Sequence, residues 1–437
     1  MTTPLSFHDE RSDGRGSPRD DHQYKNNGQP PAGSNDNAGR LLFFAVVVSA
    51  IFGVIFSMVS SSDFIEHLDR QVHSIHCSFI PGAKAEVGDN GCRTVMMSPY
   101  SSVLRTSMWG GIPIALLSVA VFAYLVMRAL SLALARRVTK NDALFLVVAT
   151  GLPLLMSVIF GTIAINELDA VCKMCVGVYV ASTLAFAFAV AGWFKSTTSD
   201  EPMPFGLYAR WFAEGCLYVG ILVFFYVVFA PTAPKAIDGC GTLVQKEDPA
   251  GIFIQMSKGS GIPALAVLDP LCPACKGFDE RIRAGGIDQR VAMNTVLFPL
   301  DSTCNWMVKE SLHPGACAVS EAMLCDKDGA LDVLDWAFTN QERLRTTAKT
   351  DEPAVRAEIE KTFPKVKGCL GTAKIKNQVN KSLRFAVANA LPLLTPQLFI
   401  GDRRVCDEDT DLGLEFTVDQ MLKAQSSADT SSSPRRR

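Results

Sequence analysis

The stretch DAVCKMCVGVY, Asp169 to Tyr179, decides the fold. Cys172 and Cys175 stand three residues apart, which on a helix puts them on one face about a turn from each other. Asp169 is placed to cap that helix at its N-terminus. A thiol in the first helical turn feels the positive end of the helix dipole, which favours its thiolate. No charge interrupts the run from Met174 to Phe194, so the helix enters a membrane with Cys172 at the surface and Cys175 about one turn deeper. A dithiol so placed meets water on one side and a lipid-soluble acceptor on the other.

The rest of the chain fits a membrane part joined to a soluble part. With 437 residues, 48% hydrophobic and 20% charged, it is too long for one compact domain and more apolar than a soluble enzyme. A net charge of −2 gives no basic excess for nucleic acid, which is set aside as a partner. Thirteen cysteines, with two Cys-x-x-Cys pairs among them, point to thiol redox chemistry or metal binding.

Residues 1–39 are polar and turn-rich and read as a disordered cytoplasmic tail. Five apolar segments long enough to span a bilayer follow at about 41–62, 106–127, 143–166, 172–194 and 212–231. Arg136, Arg137 and Lys140 crowd the connection between the second and third spans, whereas NELDAV between the third and fourth carries no Lys or Arg. By the positive-inside rule the former is cytoplasmic, and Arg40, Lys195 and Arg210 agree. Arg70, Lys84, Arg93 and Arg105 between the first two spans weaken that signal without reversing it. An odd number of spans then puts everything after Lys235 outside, together with Cys77, Cys92 and the Cys172 end of the fourth span. Outside the cytoplasm thiols pair, so metal binding loses weight and no metal is expected.

After a linker at 231–240, the pattern changes to that of an α/β domain over 241–424, with a disordered tail at 425–437. Strand-like GIFIQM and ALAVL precede a second pair, Cys272-Pro-Ala-Cys275, with Pro273 at a first helical position. An apolar strand from Val291 to Phe298 follows, then a helical stretch from about Cys317 to Leu391, then Thr395-Pro396, QLFI and a hairpin turn at Gly401-Asp402. This is the thioredoxin layout. It places Cys272 exposed at a helix N-terminus as the attacking thiol and Cys275 a turn in as the resolving thiol. Resemblance to the thioredoxin family further implies a cis proline opposite the pair, which Thr395 and Pro396 match.

The two halves together resemble bacterial homologues of vitamin K epoxide reductase (VKOR) fused to a thioredoxin-like, Dsb-type domain, over roughly residues 40–424. Cys77, Cys92, Ser98, Cys172, Cys175 and Tyr179 carry the membrane half of the resemblance, and the Cys272–Cys275 pair with Thr395 and Pro396 the outer half. The resemblance implies a polytopic α-helical membrane protein with four of five helices forming a quinone-binding bundle, plus an α/β thioredoxin-like extracytoplasmic domain. It implies a thiol:quinone oxidoreductase of the bacterial inner membrane that makes disulfide bonds. Electrons would pass from reduced secreted or periplasmic proteins to Cys272 and Cys275, then to Cys77 and Cys92, then to Cys172 and Cys175, and on to a quinone, ubiquinone or menaquinone. Tyr179 would donate a hydrogen bond to the quinone and Ser98 would help cover the pocket. The loop cysteines stand fifteen positions apart, wider than the family pattern, and the second span lacks the Asn of some relatives.

Other readings use the same residues. The relay run outward would make a reductase or isomerase, and a chain without turnover would be a membrane redox sensor. Cys77 with Cys92 also reads as a static loop disulfide, and His73 and His76 beside Cys77 allow a zinc reading. Cys240, Cys304, Cys317, Cys325, Cys369 and Cys406 allow 15 pairings of structural bridges, with Cys304–Cys317 favoured by proximity. Cys216 reads as a packing residue of the fifth span. His313 and Glu310 are candidates to tune the Cys272 site.

Overall fold

The computed structural model describes residues 35–68, 90–135, 137–168, 170–196, 205–231, 239–257, 259 and 261–432. Cys77, His73 and His76 lie outside the described residues, as does Asp169. Among the described residues, five helices are long and apolar enough to cross a membrane: α1 (Asn35–Leu68), α3 (Ile114–Leu134), α4 (Lys140–Asn166), α5 (Lys173–Lys195) and α6 (Phe205–Phe229). They make a multi-pass membrane protein. A short helix, α2 (Asn90–Met97), and a two-residue ladder of β1 (Ser102–Val103) with β2 (Ile112–Pro113) lie between α1 and α3.

Helix α1 packs against α3 and α5, and α4 against α5, around a core of Phe43, Val46, Phe122, Leu125, Leu146 and Ala185. Small residues set the spacing. A Cβ on Gly53 would lie 2.5 Å from the Phe122 ring and one on Gly192 2.7 Å from that of Phe43, so each glycine admits a buried aromatic of a neighbouring helix. Helix α6 leans mainly on α3, touches α4 where Trp211 and Tyr208 meet Phe145, and keeps most of its apolar surface exposed.

Several element bounds depart from the sequence expectation. The second span begins at Ile114, not near Thr106, because 102–113 form the β1–β2 ladder with Leu104, Gly110 and Gly111 at positive φ, and Pro113 serves as the N-cap. It also runs past Met127 to Leu134, because Arg128 is buried with its guanidinium carbon 4.0 Å from the Trp211 ring centroid. The fifth span starts at Phe205, and Arg210 inside it pairs with Glu214 one turn on. Cys216 is exposed, not packed, since α6 buries only Trp211 and Tyr226. The C-terminal segment expected to be disordered from 425 continues a helix, α14 (Leu414–Ser432), anchored where Gln425 Nε2 donates to the Ile400 carbonyl.

The second half holds a five-stranded mixed sheet, β3 (Ile254–Gln255), β4 (Ile262–Leu268), β5 (Val291–Leu297), β6 (Gln397–Ile400) and β7 (Arg403–Arg404), in the order β3-β5-β4-β6-β7. Only β4 and β5 run parallel, from Ile262 opposite Val291 to Leu268 opposite Leu297. Their crossover is α7 (Pro273–Ala284) with the short α8 (Ile287–Arg290). Alternation along β4 serves both faces. Ala264, Ala266 and Leu268 join the core beneath α7 and the inserted helices, whereas Leu265 and Val267 join Ile252, Phe298, Leu383 and Phe399 on the other. The insertion comprises α9 (Ala316–Cys325), α10 (Ala330–Thr339), α11 (Gln341–Thr350), α12 (Glu352–Thr362) and α13 (Ala373–Ala388). Disulfides join Cys240 to Cys406, Cys304 to Cys317 and Cys325 to Cys369.

The halves meet through a built contact. Phe64, Leu68 and Trp109 of the membrane half cluster with Leu412, the Trp109 indole N–H donates to Asp409 at 3.0 Å, and His67 Nε2 lies 2.9 Å from Asp411 Oδ2.

Candidate active site

At the mouth of α5, Cys172 is itself the N-cap, with extended backbone, and its sulfur accepts the Cys175 N–H at 3.3 Å. The helix therefore opens one residue after Cys172, which replaces the cap expected of Asp169. Cys92, in the first turn of α2, sits with its Sγ 3.3 Å from Cys172 Sγ. Cys92 takes part in a disulfide, while Cys172 and Cys175 are thiols. A thiol sulfur against a disulfide sulfur at contact distance is the arrangement that thiol–disulfide exchange requires.

Glycine makes that approach possible. A Cβ on Gly91 would collide with the Val171 carbonyl, so only glycine lets the start of α2 lie against the segment leading into α5.

Beneath the sulfurs lies a cavity of about 390 Å³. Cys92, Cys172, Cys175, Ser98 and Tyr179 line it, and Met156, Phe160 and Val178 contribute apolar wall. A mostly apolar chamber with a few polar groups and a thiol at one end suits a flat, lipid-soluble ring with polar oxygens. The structure thus brings Cys92, Cys172, Cys175, Ser98 and Tyr179 together.

The second pair sits at the start of α7, with Cys272 as N-cap and Pro273 at the first helical position. Cys272 is buried, not exposed as the sequence suggested, because the pair is folded under the Thr395 segment: its Sγ lies 3.6 Å from the Thr395 carbonyl oxygen. The Thr395–Pro396 peptide is cis. Asp269, at the end of β4, is fully buried and collects three donors: the N–H groups of Leu271 and Leu300, each at 2.7 Å, and His313 Nδ1 at 2.7 Å. The Asp269 N–H in turn faces Cys275 Sγ at 3.5 Å.

These contacts divide the roles of the two thiols. The Cys272 thiol falls to about 6: a hydrogen bond from Cys275 is the largest cause, and the Thr395 side chain and the His313 charge add to it against the cost of burial. Cys275 goes the other way, raised by complete burial and by the neighbouring Cys272. Burial works against a charged His313, but the hydrogen bond and charge of Asp269 outweigh it, so the imidazolium is favoured.

Sequence reading missed Asp269, Arg281, Gly91 and Arg128. The one available signal was an acidic residue ending the apolar strand ALAVLD directly before the CPAC segment. Among the described residues, no group of three or more His, Cys, Asp or Glu is placed to hold a metal ion.

Fold and site define a multi-pass membrane protein with a dithiol at a helix mouth, a disulfide sulfur against it and an apolar chamber behind. Residues 44–190, from the first span through most of α5, match the family model of the Vitamin K epoxide reductase family. That match supports a VKOR homologue, an oxidoreductase whose thiol–disulfide activity is linked to quinone. Comparison with curated proteins gives no match.

Proposed function

We propose that this chain is a disulfide-forming thiol:quinone oxidoreductase, with the sheet domain acting as a thioredoxin-like carrier on the periplasmic side of a bacterial cytoplasmic membrane. The observation that carries the reading is the 3.3 Å separation of Cys92 Sγ and Cys172 Sγ at the mouth of a chamber that Cys175 lines.

The steps follow from thiol chemistry. A reduced secreted protein offers a thiolate to a Cys272–Cys275 disulfide; two electrons enter, Cys272 leaves as thiolate, and the substrate keeps a disulfide. The lowered Cys272 pKa makes Cys272 a good leaving group and stabilises the reduced pair, which makes the disulfide a stronger oxidant and favours this direction over an outward reductase. Cys272 and Cys275 then reduce a Cys77–Cys92 disulfide. Cys92 next attacks Cys172 of a Cys172–Cys175 disulfide, forming a Cys92–Cys172 bond and releasing Cys175 as thiolate into the chamber. Cys77 resolves that bond, which leaves the loop oxidised and the membrane pair reduced. A quinone held in the chamber would supply the acceptor for two electrons and two protons. Of the lining residues, Cys175 would be the thiol facing it, Tyr179 would offer its hydroxyl to a quinone oxygen, and Ser98 would close the wall on the α2 side.

The test is quinone reduction by purified protein in detergent, with a reduced cysteine-containing protein as donor. Cys272→Ser is expected to abolish the protein-driven rate and to keep the rate driven by a small dithiol. Absence of turnover by the unaltered protein with both ubiquinone and menaquinone contradicts the proposal and favours a redox sensor.

A further inference from the structure

Arg281 sits in the third turn of α7, the helix that Cys272 caps, and is among the largest fully buried side chains. It does not serve its own domain alone. Its Nε donates to the Met97 carbonyl and its Nη2 to the Ser98 carbonyl at 3.2 Å, both at the C-terminal end of α2. Its Nη1 meets Glu415 Oε2 at 3.3 Å, and Arg105, from the membrane half, meets Glu415 Oε1 at 3.1 Å.

The last carbonyls of a helix lack intrahelical partners and carry the negative end of its dipole, so a guanidinium there is both a cap and a counter-charge. A buried cation is costly unless geometry and partners compensate it, and here two carbonyls and a buried carboxylate do so. The cap belongs to α2, whose other end carries Cys92. Helix α2 is short, eight residues: Cys92 and Val95 pack with Cys172 and Met174 at one end, and partly buried Met96 and Met97 pack against the Phe64–Trp109–Leu412 cluster at the other. A helix of two turns moves as one piece, so what holds its far end bears on the position of Cys92.

We propose that Arg281 is a positioning residue: through the Met97 and Ser98 carbonyls, the helix bearing the Cys272 pair holds α2 so that Cys92 stays against Cys172. The sheet domain then has a second role beyond carrying electrons. It remains docked on the membrane half while exchange takes place, and exchange at Cys172 depends on it even when a small dithiol supplies the electrons. This rests on the exchange reading of the proposed function.

The test traps the exchange intermediate. In Cys175→Ala, a Cys172 thiolate attacks Cys92 of the Cys77–Cys92 disulfide, Cys77 leaves as thiolate, and with no Cys175 to resolve it the Cys92–Cys172 bond accumulates, which peptide mapping under non-reducing conditions reads directly. Adding Arg281→Gln is expected to lower the trapped fraction at least fivefold, and Arg281→Lys, which keeps the charge but has one donor centre, about twofold. Arg283→Gln, on the same helix but paired with Asp335 inside the sheet domain and not with α2, is expected to trap as much as Cys175→Ala alone. Equal trapping with Arg281→Gln or, where that variant does not fold, with Arg281→Lys overturns the inference and leaves the exchange reading intact. Absence of a Cys92–Cys172 bond in Cys175→Ala with Arg281 present overturns the exchange reading itself, and the inference with it.

Discussion

His313 Nδ1 lies 2.7 Å from Asp269 Oδ2, although the two residues are 44 positions apart and belong to different connections of the sheet. The pair holds a positive charge beside Cys272, with Arg345 the opposing cation nearby. The Cys272 thiolate of the reduced protein is therefore expected to titrate with a midpoint near pH 6, followed by thiolate absorbance in the ultraviolet. The sign is that of a depressed folded value. Extra stability of the reduced domain is complete above the ordinary thiol pKa near 9 and is lost as pH falls through about 6. His313→Gln is expected to raise the midpoint by roughly one unit and to make the pair less oxidising. A midpoint unmoved by the substitution removes His313 from the account.

Gly91 sets how closely α2 can approach the segment before α5. Gly91→Ala places a methyl against the Val171 carbonyl, so either the helix or the Cys172 segment must shift. Displacement of a reacting atom by about 1 Å can cost on the order of a hundredfold in rate. Dithiol-driven quinone reduction is expected to fall at least tenfold, while thermal stability in detergent drops only modestly. Unchanged turnover would show that the close approach is not needed.

Arg128 fastens α6 to the bundle through aromatic faces. Its guanidinium carbon stands 4.0 Å from the Trp211 centroid and 5.7 Å from that of Phe145, and the Tyr124 hydroxyl donates to the Trp211 carbonyl at 2.6 Å. A desolvated cation–π contact contributes about 2 kcal/mol. Arg128→Leu is expected to lower the melting temperature by several degrees and to spare quinone reduction, since α6 lies outside the matched residues 44–190. Loss of turnover without loss of stability contradicts this assignment.

What was legible in the sequence was local. The fourth span showed itself because a Cys-x-x-Cys pair stands at the edge of an uncharged run, and the sheet domain because CPAC follows an apolar strand and Thr-Pro precedes another. Relations between distant residues were hidden. Arg281 reads as one charge on an amphipathic helix, and only the docking of the halves reveals that it caps a helix 184 positions earlier. Arg128 ended the second span on paper because a charge is costly in a membrane, yet Trp211 from a later helix shelters it. The exposure of Cys272 was misjudged for the same reason. What covers it, Thr395, comes 123 residues later.

The central claim is that Cys175 is the thiol facing the quinone chamber, fed through Cys172 from Cys92. The most direct test is dithiol-driven quinone reduction by Cys175→Ala beside the unaltered protein. The account predicts that turnover falls to background, with the protein still folded and able to form the Cys92–Cys172 bond. Turnover persisting within a few-fold of the unaltered protein contradicts it.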